Sequence, residues 1–142
     1  QRAPATEPAE VFGGYKACLI NEYSASDGDI FAYYFRRYGL GPLIGKRSWG
    51  GVRGIRGDWS LLDGGYITMP EDSLYGLDSQ WVIENVGVAP DVEEGDAPAE
   101  LLAGRDAQLL KAVELLGTRI REQPPRIPVP PPELPAYPPA GP

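Results

Sequence analysis

A buried strand, a polar turn, an amphipathic helix and a second strand follow one another early in the chain, and this order most constrains the fold. Residues 17–20 form a short uncharged apolar run, which is typical of a strand buried on both faces. Residues 27–38 repeat apolar side chains at helical spacing, with acidic residues in the first turn and arginines in the last. A short apolar strand follows at residues 43–45. Strand, helix and strand within about 30 residues predict a right-handed crossover and an at least partly parallel sheet.

The remaining patterns predict a hairpin, an exposed connector and one more long helix. Residues 59–68 alternate loosely around a Gly-Gly pair, which favours a hairpin or a bulged strand pair. Residues 81–88 suit a short strand or a loop, and the acidic stretch 93–100 suits a solvated connector. Residues 106–122 begin with an N-cap residue type and carry an apolar stripe, so we expect a helix there.

The distribution of proline divides the chain into three parts. Ten of the 16 prolines lie between Pro124 and Pro142. Residues 123–142 therefore predict a polyproline-like tail, which is either a free terminus or an arm that docks on a neighbour. Residues 1–11 have no periodicity and predict an extended lead-in from a longer protein. Residues 12–122 have ordinary globular composition and predict one domain.

Charge and missing residue types exclude several functions. A net charge of -7 and a pI near 4.6 argue against nucleic acid as a partner, since phosphate binding needs clustered cations. No apolar run approaches the ~18 residues of a membrane span. The single cysteine excludes an internal disulfide and a multi-cysteine metal site. The absence of histidine removes the commonest general base from this chain. We expect no metal and no cofactor, and we interpret Cys18 as a core residue.

The turn between the first strand and the first helix, Ser24-Ala25-Ser26-Asp27-Gly28, is a candidate position for a nucleophile. It lies where a parallel strand ends and a helix begins, so the helix dipole and free N–H groups favour a developing oxyanion. The alternative is that Ser26 caps the helix and Ser24 turns the chain. The pattern alone favours the alternative without settling the question.

Several motifs together resemble the carboxy-terminal serine peptidase domain of tricorn proteases and their bacterial homologues. The similarity extends over about residues 12–120 and keeps the order of the family's motifs. The segments that carry it are residues 21–31, 39–51, 63–65, 81–91 and 104–112.

The resemblance implies a fold, an activity and site residues. The family has a crotonase-like α/β fold with a partly parallel sheet and crossover helices, which this chain would form only incompletely without upstream elements. Its members hydrolyse peptides through an acyl-enzyme. Ser26 matches the nucleophile, Asp27 matches the residue whose backbone N–H helps to form the oxyanion hole, and Glu84 matches a carboxylate of the catalytic relay. Without the resemblance, Glu84 is interpreted as an exposed loop carboxylate.

The general base departs from both branches of the related peptidases. In the sister processing peptidases it is a lysine, but Gly51 stands at the matching position, and nothing in the sequence places nearby Lys46 within reach of a hydroxyl. In the tricorn branch the base is an upstream histidine, and this chain has no histidine. We therefore expect the base to come from an upstream segment of the same protein or from a partner chain.

Two hypotheses follow. The first is a serine peptidase domain, inactive as this chain alone, that acts on peptides within a homo-oligomer, with a cytoplasmic location favoured over a periplasmic one. The alternative is a non-catalytic peptide-binding or assembly module of the same fold, suggested by the missing histidine and lysine.

Overall fold

A computed structural model describes residues 12–95 and 97–126 of the chain. The predicted lead-in and most of the predicted Pro-rich tail lie outside the described residues. The elements in chain order are β1 (Cys18–Ile20), α1 (Asp27–Arg37), β2 (Leu43–Gly45), β3 (Gly54–Ser60), β4 (Tyr66–Asp72), β5 (Val92–Glu93), α2 (Pro98–Leu102) and α3 (Ala107–Glu122).

A three-stranded parallel sheet in the order β1-β2-β5 forms the centre of the fold. Cys18 pairs with Leu43, and Ile44 pairs with Val92. Leu43 and Ile44 have no exposed surface, as expected for the middle strand of a parallel sheet. The chain is thus an α/β fold, and the parallel arrangement predicted from the sequence is confirmed.

The two long helices pack against this sheet through small or apolar faces. In α1, Ala32 and Phe35 are buried in the main apolar cluster. In α3, Ala112 is buried, and Asp106 caps the helix by accepting a 2.8 Å hydrogen bond from the Leu109 N–H. Both predicted helices are confirmed. No helix within residues 12–95 and 97–126 is long and apolar enough to cross a membrane.

The prediction of an acidic connector over residues 93–100 is wrong in part. Val92 and Glu93 form β5 against β2, and residues 98–102 form α2. Two hydrogen bonds between Asp91 and Leu43 align β5 with β2. The Asp91 carboxylate accepts from the Leu43 N–H at 2.7 Å, and the Asp91 N–H donates to the Leu43 carbonyl at 2.8 Å. A strand of two residues is too short to produce a periodic pattern, so these long-range bonds decide its conformation.

The predicted hairpin is confirmed as β3 and β4, which form a separate antiparallel sheet. Trp59 lies opposite Ile67, and the register shifts near Ile55 indicate bulges. Trp59, Ile67 and Met69 lie on one face of the hairpin, and all three are exposed. The hairpin therefore presents an apolar face that the described residues leave uncovered.

Candidate active site

Ser26 stands between β1 and α1 in an unusual backbone conformation. Its φ is 54° and its ψ is -112°, whereas a helix-capping residue normally lies in the extended region. Its exposed side chain makes no capping hydrogen bond. The interpretation of Ser26 as a side-chain helix cap is therefore wrong. A serine held at positive φ instead projects its hydroxyl from a sharp strand-to-helix turn, which is how the nucleophile is presented in α/β-hydrolases.

Ser24 shapes the turn that precedes Ser26. The Ser24 hydroxyl accepts from the Asn21 N–H at 3.0 Å, and the Ser24 N–H donates to the Asn21 carbonyl at 2.9 Å. The Asn21 side chain in turn accepts from the Tyr23 N–H at 3.0 Å. Ser24 turns the chain as the sequence suggested, and the closely bonded turn fixes the position from which Ser26 projects.

The first N–H of α1 is available beside the Ser26 hydroxyl. Two of the next three amides are used, since the Gly28 N–H donates to the Ala25 carbonyl and the Ile30 N–H to the Ser26 carbonyl. The Asp27 N–H has no acceptor within the part of the chain that the structure describes. A free N–H at the positive end of a helix dipole can stabilise an oxyanion.

A buried carboxylate, Asp29, ties α1 to a loop that we call the glycine loop (residues 48–52). Asp29 has no exposed surface and accepts from the Gly50 N–H at 2.9 Å and the Gly51 N–H at 3.4 Å. The Trp49 N–H donates to the Ser24 carbonyl at 3.1 Å. The glycine loop is thereby bonded to both sides of the Ser26 turn. Sequence reasoning assigned Asp29 only to the helix dipole and missed this role.

The other side of the glycine loop is bonded to residues 81–89, which we call the 81–89 segment. The Val52 N–H donates to Glu84 Oε2 at 2.8 Å, and the Asn85 N–H donates to the Gly50 carbonyl at 2.7 Å. A Cβ on Gly50, whose φ is 85°, would lie 2.6 Å from the Gly87 nitrogen, so only glycine permits this approach.

The interpretation of Glu84 as an ordinary exposed loop carboxylate is wrong. Its side chain is 22% exposed, with Oε1 3.7 Å from Arg53 Nε and Oε2 bonded to the glycine loop. No hydrogen bond within the described residues joins Glu84 to Ser26. The connection between them runs through the glycine loop, which contacts the Ser26 turn on one side and Glu84 on the other.

Non-glycine residues at positive φ are concentrated around Ser26 and Glu84 in the described part of the chain. Ile83 and Asn85, on either side of Glu84, have φ values of 71° and 60°. A β-branched residue at positive φ is a genuine outlier. Including Ser26, three of the four positive-φ non-glycine residues that the structure describes lie at or beside a candidate site residue, with Ser79 the fourth. Such strain is typical of active sites and could not be read from residue types.

The positive φ of Ser26 predicts that glycine is more stable than alanine at this position. Because strain at positive φ costs about 1–3 kcal/mol in a non-glycine residue, we expect Ser26→Gly to raise the free energy of unfolding by about 1 kcal/mol over Ser26→Ala. Both variants lack the hydroxyl, so they differ in the strain of the turn and in the entropy of the unfolded chain, which destabilises the glycine variant by about 0.5–1 kcal/mol. Urea unfolding of the two variants measures the net difference, and a glycine variant less stable than the alanine variant would show that the turn is unstrained.

Other nucleophile and base candidates have unsuitable surroundings. Lys46 is 46% exposed, and its ammonium lies 3.5 Å from a carboxylate oxygen of Glu22. The Glu22 backbone N–H, with a smaller effect from Lys46, lowers the pKa of Glu22. Cys18 packs against the apolar core, and burial raises the pKa of its thiol, which disfavours a thiolate nucleophile. No group of potential metal ligands occurs among the residues the structure describes.

Comparison with known proteins gives consistent matches. The model of Peptidase family S41 matches residues 2–94. The chain is 41% identical over 121 residues to the tricorn protease of Thermoplasma acidophilum, covering 85% of this chain and 11% of that protein. It is 43% identical over 110 residues to a putative tricorn-like protease C-terminal subunit of Sulfurisphaera tokodaii, covering 78% and 13%.

A solved structure agrees with these matches. The crystal structure of the tricorn protease superposes with a TM-score of 0.69 at 45% identity, covering 74% of this chain and 10% of that one. The chain therefore spans about a tenth of the length of these relatives.

Proposed function

The chain belongs to peptidase family S41 as a tricorn-family peptidase domain, and we propose that it is the nucleophile-bearing part of a serine peptidase that hydrolyses peptides. The observation that carries the proposal is Ser26 in the turn that follows a parallel strand. Its side chain is exposed, its φ is positive, and its hydroxyl does not cap the helix. The Ser26 hydroxyl attacks the scissile carbonyl and gives its proton to the general base, which passes a proton to the amine that leaves as the C–N bond breaks. Water then hydrolyses the resulting acyl-enzyme. The Asp27 N–H stabilises the oxyanion that develops in both steps.

Glu84 serves as the carboxylate of the catalytic relay in this proposal. Its partial burial and its hydrogen bond from Val52 hold the side chain in one orientation. An oriented carboxylate fixes the tautomer of a neighbouring imidazole and stabilises the imidazolium formed during attack. The hydrogen bonds through the glycine loop support the proposal, because they keep Glu84 at a constant position relative to the Ser26 turn.

The general base is a histidine from outside this chain, supplied by an upstream segment of the same protein or by a partner chain. The sequence contains no histidine, and Lys46 pairs with Glu22. One relative is named a C-terminal subunit, which is consistent with division of the peptidase between polypeptides. A serine without a base is a poor nucleophile, so this chain alone is nearly inert.

The fold is crotonase-like in this proposal and becomes complete with upstream elements. The uncovered apolar face of the hairpin supports this view, since a two-stranded ribbon is only marginally stable by itself. Additional polypeptide that packs on Trp59 and Ile67 would bury surface that is now exposed. We place the assembly, a homo-oligomer, in the cytoplasm.

A serine-reactive fluorophosphonate probe tests the proposal directly. We expect mass spectrometry to find Ser26 modified when the chain is combined with the histidine-bearing polypeptide, and hardly modified in the chain alone. The base activates the hydroxyl, so labelling reports the assembled site. Absence of labelling in a demonstrably folded assembly would contradict the proposal and favour a non-catalytic peptide-binding or assembly module.

A further inference from the structure

A groove of about 520 Å³ lies between α1 and the 81–89 segment. Tyr33, Arg36 and Arg37 line it from α1. Arg47, Trp81 and Val86 line it as well. We call it the arginine groove. Ser26, Asp27 and Glu84 do not line it, although Ile83, the neighbour of Glu84, does.

The arginine groove carries positive charge that nearby carboxylates only partly neutralise. Arg36 pairs with Asp91 at 2.8 Å and donates to the Ala89 carbonyl. Arg37 forms no ion pair or hydrogen bond within the described part of the chain, and Arg47 donates only to the neutral Val86 carbonyl at 3.1 Å. Two of the three guanidinium groups that line the groove thus have no carboxylate partner within the described residues, in a chain whose net charge is -7.

Stabilisation of the helix does not explain this arrangement. Cations in the last turn of α1 interact favourably with the helix dipole, which accounts for Arg36 and Arg37. Arg47 follows β2 and has no such role. The dipole therefore leaves the convergence of Arg37 and Arg47 on one groove unexplained.

The apolar part of the arginine groove is unusually open. Trp81 is 75% exposed and Val86 is 62% exposed. Tyr75 packs edge-on against the Trp81 ring, with the centroids 6.3 Å apart, and thereby braces the indole. Tryptophan, tyrosine and arginine are the residue types that dominate protein recognition surfaces. A supported but open tryptophan beside unpaired arginines is suited to hold an apolar side chain flanked by carboxylates.

We propose that the arginine groove is a docking site for an acidic segment, with interspersed apolar side chains, of another polypeptide. Carboxylates of the segment pair with Arg37 and Arg47, and an apolar side chain packs on Trp81. A nucleic acid suits this groove less well, because the net charge of -7 repels an extended polyanion along its whole length. The docking needs neither Ser26 nor a general base, so it goes beyond the proposed peptidase function.

Fluorescence anisotropy with two matched peptides tests the charge requirement. The probe is a short peptide of alternating glutamate and leucine, and its control has glutamine in place of every glutamate. Both are titrated with the Ser26→Ala chain, alone and with the histidine-bearing polypeptide, so that no hydrolysis can occur. We expect the glutamate peptide to bind at least about tenfold more tightly and to lose affinity as salt is added. Equal affinity for the two peptides would overturn the proposal.

Three variants locate the binding surface. We expect the Arg37→Gln/Arg47→Gln double variant, and separately Trp81→Ala, to raise the Kd of the glutamate peptide about tenfold. Arg121→Gln/Arg126→Gln is the matched control, because it also removes two exposed arginines but both lie outside the groove, and it should leave the Kd unchanged. An equal effect of the control would show that affinity follows net charge alone and would contradict the proposal.

Two further measurements separate the proposed occupant from others. Tighter binding of a single-stranded DNA of equal charge than of the glutamate peptide would reassign the groove to nucleic acid. Self-association in sedimentation experiments that the double variant abolishes would reassign it to a second copy of this chain. We expect neither result. Arg37→Gln alone, with Ser26 and Glu84 kept, removes no hydrogen bond or ion pair within the described residues, so it should weaken docking and leave activity on a small uncharged peptide unchanged.

Discussion

Replacing Ser26 by alanine is expected to lower kcat/KM of the complete peptidase by about 10⁴-fold or more, while the chain folds as before. The Ser26 hydroxyl makes no hydrogen bond within the described residues, so its removal takes away the proposed nucleophile without breaking a structural bond there. The measurement is hydrolysis of a fluorogenic peptide, with circular dichroism of the chain as the folding check.

Ser60→Ala provides the matched control for this result. Ser60 is exposed in β3, far along the chain from the strand-to-helix turn, and the same loss of a hydroxyl there should leave kcat/KM unchanged. Peptidase activity that survives Ser26→Ala would remove Ser26 as the nucleophile. Residual activity slightly above the uncatalysed rate would remain compatible with the proposal, because the Asp27 N–H is still present to stabilise the oxyanion.

The elements that the sequence predicted correctly are those with strong local signals. The helix α1 has an apolar stripe and charges of the right sign at each end, and α3 begins with a true N-cap residue, Asp106. The strand β5 was missed because Val92 and Glu93 are too few to show a pattern. Their conformation depends on pairing with β2, which lies almost fifty residues earlier in the chain.

The sequence was sufficient to name Ser26 and Glu84 as candidate site residues, but it could not give their backbone conformation or their contacts. The position of Ser26 follows from the strand–turn–helix order, whereas residue type does not disclose a φ of 54°. An acidic residue in a first helical turn is already explained by the dipole, so nothing in the sequence pointed from Asp29 to Gly50, 21 residues away. Likewise, Glu84 is an unremarkable carboxylate until its contact with Val52, 32 residues away, is seen.

Asp29 and Glu84 hold the glycine loop from opposite sides, yet their substitutions should have different consequences. We expect Asp29→Asn to lower the free energy of unfolding by about 2–3 kcal/mol, because the amide cannot accept from both the Gly50 and Gly51 N–H groups and one buried donor loses its acceptor. Activity should fall together with stability, since the loop no longer fixes the Ser26 turn. Urea unfolding of the chain, with kcat/KM of the complete assembly, measures both effects.

Glu84→Gln should lower activity strongly and stability only slightly. Its carboxylate is partly exposed and its ion-pair partner Arg53 is half exposed, so we expect a stability loss below about 1 kcal/mol. The amide can still accept from the Val52 N–H, which preserves the position of the glycine loop. Loss of the negative charge, however, removes the stabilisation of the imidazolium, and kcat/KM should fall by about 10²- to 10⁴-fold. If Glu84→Gln instead lost stability and activity in the proportion found for Asp29→Asn, Glu84 would be a support for the loop and not a member of the relay.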